Sequence, residues 1–189
     1  SIFSEREFIF NKIKQQNRYG MLDSDPTVDG LKTGPTDSAG SWLATSAVRS
    51  GTRLISVVLG SSSVTGREQA SATLLGYGYS FYQTVKVKGR GEALATPRVF
   101  LSASTTAPVG LAQDLFVTVG RDQASQLKST VSVASKLLAP LAAGARVGDL
   151  TVTTPDGAVV AKAPIVTLQA VPQGGLWTRL TDHISLWFK

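Results

Sequence analysis

Hydrophobic spacing divides the first 84 residues into three strands and one helix. Strand-like runs separated by short turns cover residues 28–34, 42–48 and 53–59, which predicts an antiparallel meander. The third run is nearly continuous in apolar residues, so we expect a buried strand. Apolar positions at three- and four-residue steps then predict a helix from about residue 67 to residue 81, with Thr65 as its N-cap.

The segment before the meander has a weaker pattern. Residues 5–18 are mostly polar with isolated apolar positions, and we expect a short helix or turn segment with Phe8 and Ile13 as its anchors. The run Asn-Arg-Tyr-Gly at 17–20 ends it. Residues 1–84 are therefore predicted to be a sheet with a helix packed on it.

The pattern changes at residue 85, where short alternating stretches begin. Six of the eight prolines lie beyond this point, mostly at expected strand edges and turns. This pattern is typical of a small β-sandwich, here spanning residues 85–175. The predicted strands are 84–88, 92–95, 98–101, 115–119, 130–134, 150–153, 158–161 and 164–171.

Residues 176–189 form a third segment with a helical period. Its large apolar residues fall on one helical face, whereas Asp182 falls elsewhere. A helix of this length is too short to cross a bilayer, which needs about 20 apolar residues, but it could lie in the membrane interface. Packing of the same side chains against the sandwich is the alternative. The predicted anchor residues are Trp177, Leu180, Ile184, Trp187 and Phe188.

Composition narrows the function classes. The 189 residues include no cysteine and one histidine, His183, which excludes thiolate and multi-histidine metal sites; we expect no metal and no cofactor. The net charge of +6 is uneven, with +1 over residues 1–84 and +5 over residues 85–189, which suits an anionic surface. The basic residues are scattered without interleaved aromatics, so nucleic acid is not an expected partner.

The start of the chain also carries an expectation. Ser1 is not preceded by a methionine, and no signal-peptide pattern is present. We therefore expect a processed product or the second part of a longer polypeptide. The lack of cysteine is compatible with an oxidising compartment such as the bacterial periplasm.

Lys32-Thr33-Gly34 is the motif with the clearest chemical meaning. The triplet is followed by Thr36-Asp37-x-Ala39-Gly40, by the strand 53–60 and by Gly66-Arg67-Glu68. With a β-sandwich and an amphipathic tail after them, these stretches resemble the C-terminal part of the D-alanyl-D-alanine carboxypeptidases, the low-molecular-mass penicillin-binding proteins. The resemblance runs from about residue 2 to residue 189.

The resemblance implies an α+β fold: the C-terminal part of a penicillin-binding, β-lactamase-like transpeptidase domain, then the sandwich and the helix. It implies a serine acyl-enzyme that removes the terminal D-alanine of peptidoglycan pentapeptide and is acylated by β-lactam antibiotics. The protein would be periplasmic and peripheral on the outer face of the bacterial inner membrane. Its partners would be the peptidoglycan stem peptide, β-lactams, the inner-membrane surface and the upstream N-terminal part of the same protein.

The resemblance also assigns site residues. Lys32 would hold positive charge near the nucleophile, Thr33 would hydrogen-bond the terminal carboxylate of the substrate, and Arg67 would add charge for that carboxylate. Arg18 would lie near the cleft with a weaker role, and the strand edge at 33–36 would pair with the substrate backbone. The assigned catalytic residue is Lys32, and the substrate-binding residues are Thr33, Gly34, Thr36, Arg67 and Arg18.

Two departures keep alternatives open. Ser125-x-x-Lys128 spells the nucleophile motif but follows the Lys-Thr-Gly triplet, and no Ser-x-Asn occurs, so we expect the nucleophile upstream. Pro35 replaces a residue whose N–H helps to form the oxyanion hole in the family. The alternatives are a catalytically inactive peptidoglycan-binding or anchoring fragment, and a β-lactamase-like acylase.

Overall fold

The computed structural model describes residues 2–36 and 40–187; for residues 180 and 183–187 it describes the backbone alone. The chain separates into two compact units, residues 1–84 and 85–189. Each unit has its own hydrophobic core.

A β-hairpin stands near the start of the first unit. β1 (Glu7–Phe10) pairs antiparallel with β2 (Ile13–Gln16). The two-residue turn Asn11-Lys12 has φ values of 47° and 65°, the left-handed geometry that a tight hairpin turn requires. Phe8 and Ile13 are both exposed, so the prediction of a helix or turn anchored by them is wrong. The hydrogen-bonded pairing of β1 with β2 across this turn outweighs the weak helical periodicity of residues 5–18.

A three-stranded antiparallel sheet follows a single helical turn, α1 (Met21–Ser24). The sheet contains β3 (Val28–Thr36), β4 (Gly40–Arg49) and β5 (Thr52–Ser61), in that order. Ser50-Gly51 forms the β4–β5 turn with positive φ at both residues. The predicted meander is confirmed, with each strand somewhat longer than expected.

α2 (Val64–Phe81) packs on β4 and β5. Its N-cap is Ser63, whose hydroxyl accepts a hydrogen bond from the Gly66 N–H at 3.0 Å. The predicted cap, Thr65, lies inside the helix, because the helix begins three residues earlier than expected. The residues that α2 buries recur every four positions and are Arg67, Ser71, Leu75 and Tyr79.

β5 is not buried on both faces. Ser56 is buried, whereas Ile55, Val57 and Leu59 are exposed. The expectation of a fully buried strand is therefore wrong for the structure described. A continuous apolar run cannot by itself show whether both faces of its strand are covered.

The core of the first unit combines apolar packing with a small polar cluster. Ser71 accepts hydrogen bonds from the hydroxyls of Thr45 (3.2 Å) and Ser56 (3.1 Å) between the helix and the sheet. All three residues are buried, so the cluster aligns α2 on β4 and β5. The surrounding apolar core is Tyr19, Met21, Leu22, Val28, Leu43, Ala47, Leu75 and Tyr79.

The second unit is dominated by strands, which confirms its predicted all-β character. Its strands are β6 (Tyr82–Lys88), β7 (Ala93–Ala95), β8 (Val99–Phe100), β9 (Val109–Leu111), β10 (Leu115–Gly120), β11 (Lys128–Val133), β12 (Leu137–Leu138), β13 (Arg146–Thr153) and β14 (Val159–Thr167). Five of them form a sheet in the order β11-β13-β14-β9-β7, whereas β10 pairs with β6 and β8 pairs with β12.

Two details of this unit differ from the prediction. The strands expected at 158–161 and 164–171 are one strand, β14, in which Pro164 lies opposite Asp149. β9 and β12 were not predicted, because two or three residues carry too little pattern. The core of the unit is Val99, Ala107, Val109, Leu111, Leu137, Ala139, Val147, Leu150, Ile165 and Val171.

The tail forms α3 (Leu176–Trp187). No helix in the part of the chain that the structure describes is long and apolar enough to cross a membrane. Trp177 is 81% exposed and does not pack in the core of the unit. Of the other predicted anchor residues, Phe188 and the side chains of Leu180, Ile184 and Trp187 lie outside the described residues.

Candidate active site

The Lys-Thr-Gly triplet lies in β3, which is an edge strand of the three-stranded sheet. Its register is fixed by β4, with Lys32 opposite Ala44, Thr33 opposite Leu43 and Gly34 opposite Trp42. Among the described strands, β3 pairs with β4 alone. Phe3, in the 3₁₀ turn Ile2–Ser4, packs against Gly30 near the start of β3, and the second edge of the strand beyond this point is open to an extended ligand.

Lys32 and Thr33 point to opposite faces of this strand, because side chains alternate along a strand. The neighbour opposite Thr33, Leu43, is fully buried in the core that α2 covers. Thr33 thus faces the helix that carries Arg67, whereas Lys32 lies on the other face. A ligand bound along the open edge of β3 could therefore contact Lys32 on one face of the strand and Thr33 on the other.

One cleft of about 850 Å³ borders this edge. It brings together five of the six predicted site residues from three separate segments of the first unit. Thr36 is not among the lining residues. The lining is Gln15, Gln16, Asn17, Arg18, Lys32, Thr33, Gly34, Pro35, Ser41, Trp42, Val64 and Arg67.

The charge of the cleft has one sign. Arg18, Lys32 and Arg67 line it, and none of the described lining residues is acidic. A concave site with this charge raises the local concentration of anionic ligands. The arrangement suits a small ligand that carries a carboxylate.

Arg67 is only 4% exposed and braces the wall of the cleft. Its Nη1 atom donates to the carbonyl oxygens of Gly34 (3.3 Å) and Trp42 (3.2 Å). Among the described residues, the Nε of Arg67 and the Oγ1 of Thr33 are buried without a hydrogen-bond partner. Buried polar atoms of this kind are uncommon, and a bound ligand is one explanation for them.

Gly34 has a steric reason to be glycine. A Cβ atom at this position would overlap the indole of Trp42. The indole of Trp42 thus packs directly on the backbone of the triplet and supports the edge of the cleft. Trp42 is a site residue that the sequence analysis missed, because only the pairing of β3 with β4 places it there.

The loop that carries Arg18 is held at three points. The Tyr19 hydroxyl donates to the Gly30 carbonyl at 3.1 Å, and burial raises the pKa of Tyr19 above its ordinary value, so the phenol stays protonated. The Tyr19 N–H donates to Asn17 Oδ1 at 3.1 Å. The Gly20 N–H donates to Glu68 Oε1 at 3.2 Å. Glu68 was not predicted as a site residue, although it adjoins Arg67.

Ser125 and Lys128 lie in the second unit, in a 3₁₀ turn (Ala124–Gln126) and at the start of β11. Neither is a lining residue of the cleft. No group of three or more His, Cys, Asp or Glu side chains suited to a metal ion occurs among the described residues.

Two family models match the chain. Residues 1–63 match the D-alanyl-D-alanine carboxypeptidase family, and residues 82–173 match the C-terminal domain of penicillin-binding protein 5. The carboxypeptidase DacA of Escherichia coli K12 is 39% identical over 190 residues, which cover 100% of this chain and 47% of DacA. DacD of the same strain is 36% identical over 184 residues, which cover 96% of this chain and 47% of DacD.

A solved structure is similar as well. Penicillin-binding protein 5 from Haemophilus influenzae matches with a TM-score of 0.81 and 36% identity, over 91% of this chain and 51% of that protein. The chain thus spans about half the length of the curated relatives it matches. Over its length the chain corresponds to the C-terminal part of the D-alanyl-D-alanine carboxypeptidases.

Proposed function

We propose that this chain supplies the Lys-Thr-Gly wall of the active site of a serine-type D-alanyl-D-alanine carboxypeptidase. The enzyme would remove the terminal D-alanine of peptidoglycan pentapeptide through an acyl-enzyme and would be acylated by β-lactam antibiotics. One observation carries the proposal: three cations from three segments line a single cleft along the open edge of β3, without an acidic residue in the described lining.

Each cation has a distinct role in this proposal. Lys32, on the exposed face of β3, provides positive charge beside the nucleophile and favours the deprotonated base. Arg67 provides charge at the other face for the terminal carboxylate of the peptide. Arg18 adds to the field of the cleft. The strand edge at 33–36 pairs with the backbone of the substrate, as an added strand would.

The unpartnered atoms support a ligand at this wall. Thr33 Oγ1 and Arg67 Nε are two donors with no partner among the described residues. Both atoms lie beneath the surface of the cleft, so a carboxylate, which accepts several hydrogen bonds, would compensate for them once the two side chains turn toward it. The terminal carboxylate of D-alanyl-D-alanine and the carboxylate of penicillins share this chemistry.

The nucleophilic serine would come from the upstream part of the full-length protein. Relatives about twice as long as this chain support this division, since the chain covers 47% of DacA. A catalytically inactive peptidoglycan-binding protein is the second candidate, and Pro35 in the cleft wall favours it, because proline cannot donate a backbone hydrogen bond. No acylation by penicillin in the full-length protein would favour the second candidate.

We further propose that the protein is periplasmic and attached to the outer face of the inner membrane through residues 176–189. Leu176 and Trp177 are each 81% exposed at the start of α3. The charge of +5 over residues 85–189 favours anionic head groups. Exposed tryptophan on a short helix is typical of interfacial segments.

Replacing Thr33 with valine tests the active-site proposal. The substitution removes a hydroxyl that makes no hydrogen bond within the described residues, so the thermal unfolding midpoint should stay unchanged. Loss of a hydrogen bond to a carboxylate should slow acylation roughly 10- to 150-fold. The measurement is the second-order rate of acylation by a fluorescent penicillin in the full-length protein.

Lys32→Ala and Lys128→Ala complete the experiment as a matched pair. Both remove one exposed lysine, but only Lys32 lines the cleft. We expect Lys32→Ala to slow acylation by about 10²–10³, as for other preorganised electrostatic groups, and Lys128→Ala to leave it unchanged. Equal rates for the parent, Thr33→Val and Lys32→Ala would refute the proposed site.

A further inference from the structure

Asp182 of α3 is an acidic residue that the proposed chemistry does not use. Its carboxylate accepts a hydrogen bond from the Leu101 N–H at 2.7 Å and another from Arg98 Nη2 at 3.0 Å. The side chain of Asp182 is only 13% exposed. The guanidinium of Arg98 lies 4.5 Å above the ring of Phe100, which holds the cation in place. The two hydrogen bonds join positions more than 80 residues apart in the chain.

Leu101 is bonded to the tail through both of its backbone groups. Its N–H goes to Asp182, and its carbonyl accepts from the Gly174 N–H at 2.8 Å. A Cβ atom at Gly174 would lie 2.8 Å from the backbone of Ser102, so the tail packs tightly here. Leu101 itself has a φ of 60°, a conformation that a leucine adopts only when its surroundings impose it. The tail thus contacts the same residue of the all-β unit twice, at Gly174 before α3 and at Asp182, six residues after the start of α3.

Asp182 lies on the side of α3 opposite the predicted anchor positions. At 3.6 residues per turn, the predicted anchor positions 177, 180, 184 and 187, together with the apolar position 176, fall roughly 120–160° from position 182. The two of these side chains that are described, Leu176 and Trp177, are exposed. Docking through Asp182 therefore leaves the apolar side of the helix facing away from the unit.

A helix of 12 residues gains little from its own hydrogen bonds. Isolated helices shorter than about 12–15 residues are marginal in water. A salt bridge and a backbone hydrogen bond to the all-β unit would order α3 before it meets any partner. An ordered segment loses less conformational entropy on binding than a disordered one does.

We propose that Asp182 is a latch that fixes α3 on the all-β unit, so that the helix meets an anionic lipid surface as a rigid extension of that unit. The inference rests on the proposed membrane attachment and goes beyond it. Attachment needs only the apolar side of the helix. The latch determines the angle at which the all-β unit stands on the lipid surface.

Distances between spin labels test the latch. These 189 residues contain no cysteine, so Ser129→Cys in β11 and Thr178→Cys in α3 provide the two labelling sites in the full-length protein, with any cysteine of its upstream part replaced by serine. Both positions are exposed. With and without vesicles of phosphatidylglycerol and phosphatidylethanolamine, we expect a narrow distance distribution. Asp182→Ala should widen it at least about twofold, because α3 is then held only by the contacts up to Gly174 and can turn about Gly175, where a glycine has open space around it.

Asp156→Ala is the matched control, since it removes one carboxylate from the 154–158 turn of the same unit and should keep the distribution narrow. Arg98→Gln weakens the latch without altering the helix and should widen the distribution less. A broad distribution in the parent, or an unchanged one in Asp182→Ala, would overturn the latch. Deletion of residues 176–189 tests attachment separately: unchanged binding to the vesicles would refute the anchor, whatever the label distances are.

Discussion

Pro35 provides the sharpest prediction, because its backbone nitrogen borders the cleft. It lies in β3 opposite Ser41, and β3 pairs with β4 alone among the described strands. A proline within an edge strand stands where the missing N–H would point away from the partner strand. The nitrogen of residue 35 therefore faces the open edge, and the cleft lies along that edge. An N–H at this position would be directed toward a bound ligand.

Replacing Pro35 with alanine restores this N–H with the smallest chiral side chain. In the family, the residue after the triplet donates its N–H to the oxyanion of the acyl-transfer intermediate. One oxyanion-hole donor contributes about 3–4 kcal/mol, or 10²–10³ in rate. Loss of the proline should meanwhile lower stability by about 0.4–1 kcal/mol, since the unfolded chain gains conformational freedom. The expected signature is thus faster acylation in a slightly less stable protein.

The assay is the second-order rate of acylation by a fluorescent penicillin, measured on the full-length protein for Pro35→Ala and Pro35→His. Pro26→Ala is the control, because Pro26 is exposed in the turn before β3 and does not line the cleft. We expect both Pro35 variants to be faster than the parent and the control to match it. Unchanged rates in both variants would show that residue 35 does not limit acylation. If acylation of Pro26→Ala were also faster than that of the parent, the effect would come from a more flexible backbone and not from the restored N–H.

Two further predictions concern the first unit. Ser71→Ala removes the acceptor shared by Thr45 and Ser56, and it should lower the free energy of unfolding, measured in urea, by about 1–3 kcal/mol. Ser80→Ala, at an exposed position of α2, should lower it much less. Equal losses in the two variants would refute the role of the cluster. At Asp25, burial opposes ionisation, but hydrogen bonds from Thr27 and Arg49 outweigh it and hold the pKa below its usual value. The stabilisation is therefore present above the unfolded-state pKa of about 3.9 and lost as the pH falls through the folded-state value. Asp25→Asn should destabilise by about 1 kcal/mol at pH 7, with the difference from the parent shrinking below about pH 4; a difference independent of pH would contradict this assignment.

Local patterns were sufficient for the elements that carry the chemistry. The triplet 32–34, the helix with Arg67 and most strands of the second unit, though not β9 and β12, follow from periodicity and turn residues, because these features depend on neighbours in sequence. The same patterns failed at the β1–β2 hairpin, where a positive-φ turn selects pairing over helix, and at the cap of α2, where Ser63 rather than Thr65 accepts the hydrogen bond.

Other features depend on residues far apart in the chain. The packing of Trp42 on Gly34, the hydrogen bond from Arg67 to the Gly34 carbonyl, and the bond from Leu101 to Asp182 join positions 8, 33 and 81 residues apart. Such contacts come from strand register and helix docking, which depend on the burial of whole faces rather than on any local signal. Residue types thus set the chemistry available to this protein, and the folded chain brought Arg18, Lys32 and Arg67 to one cleft.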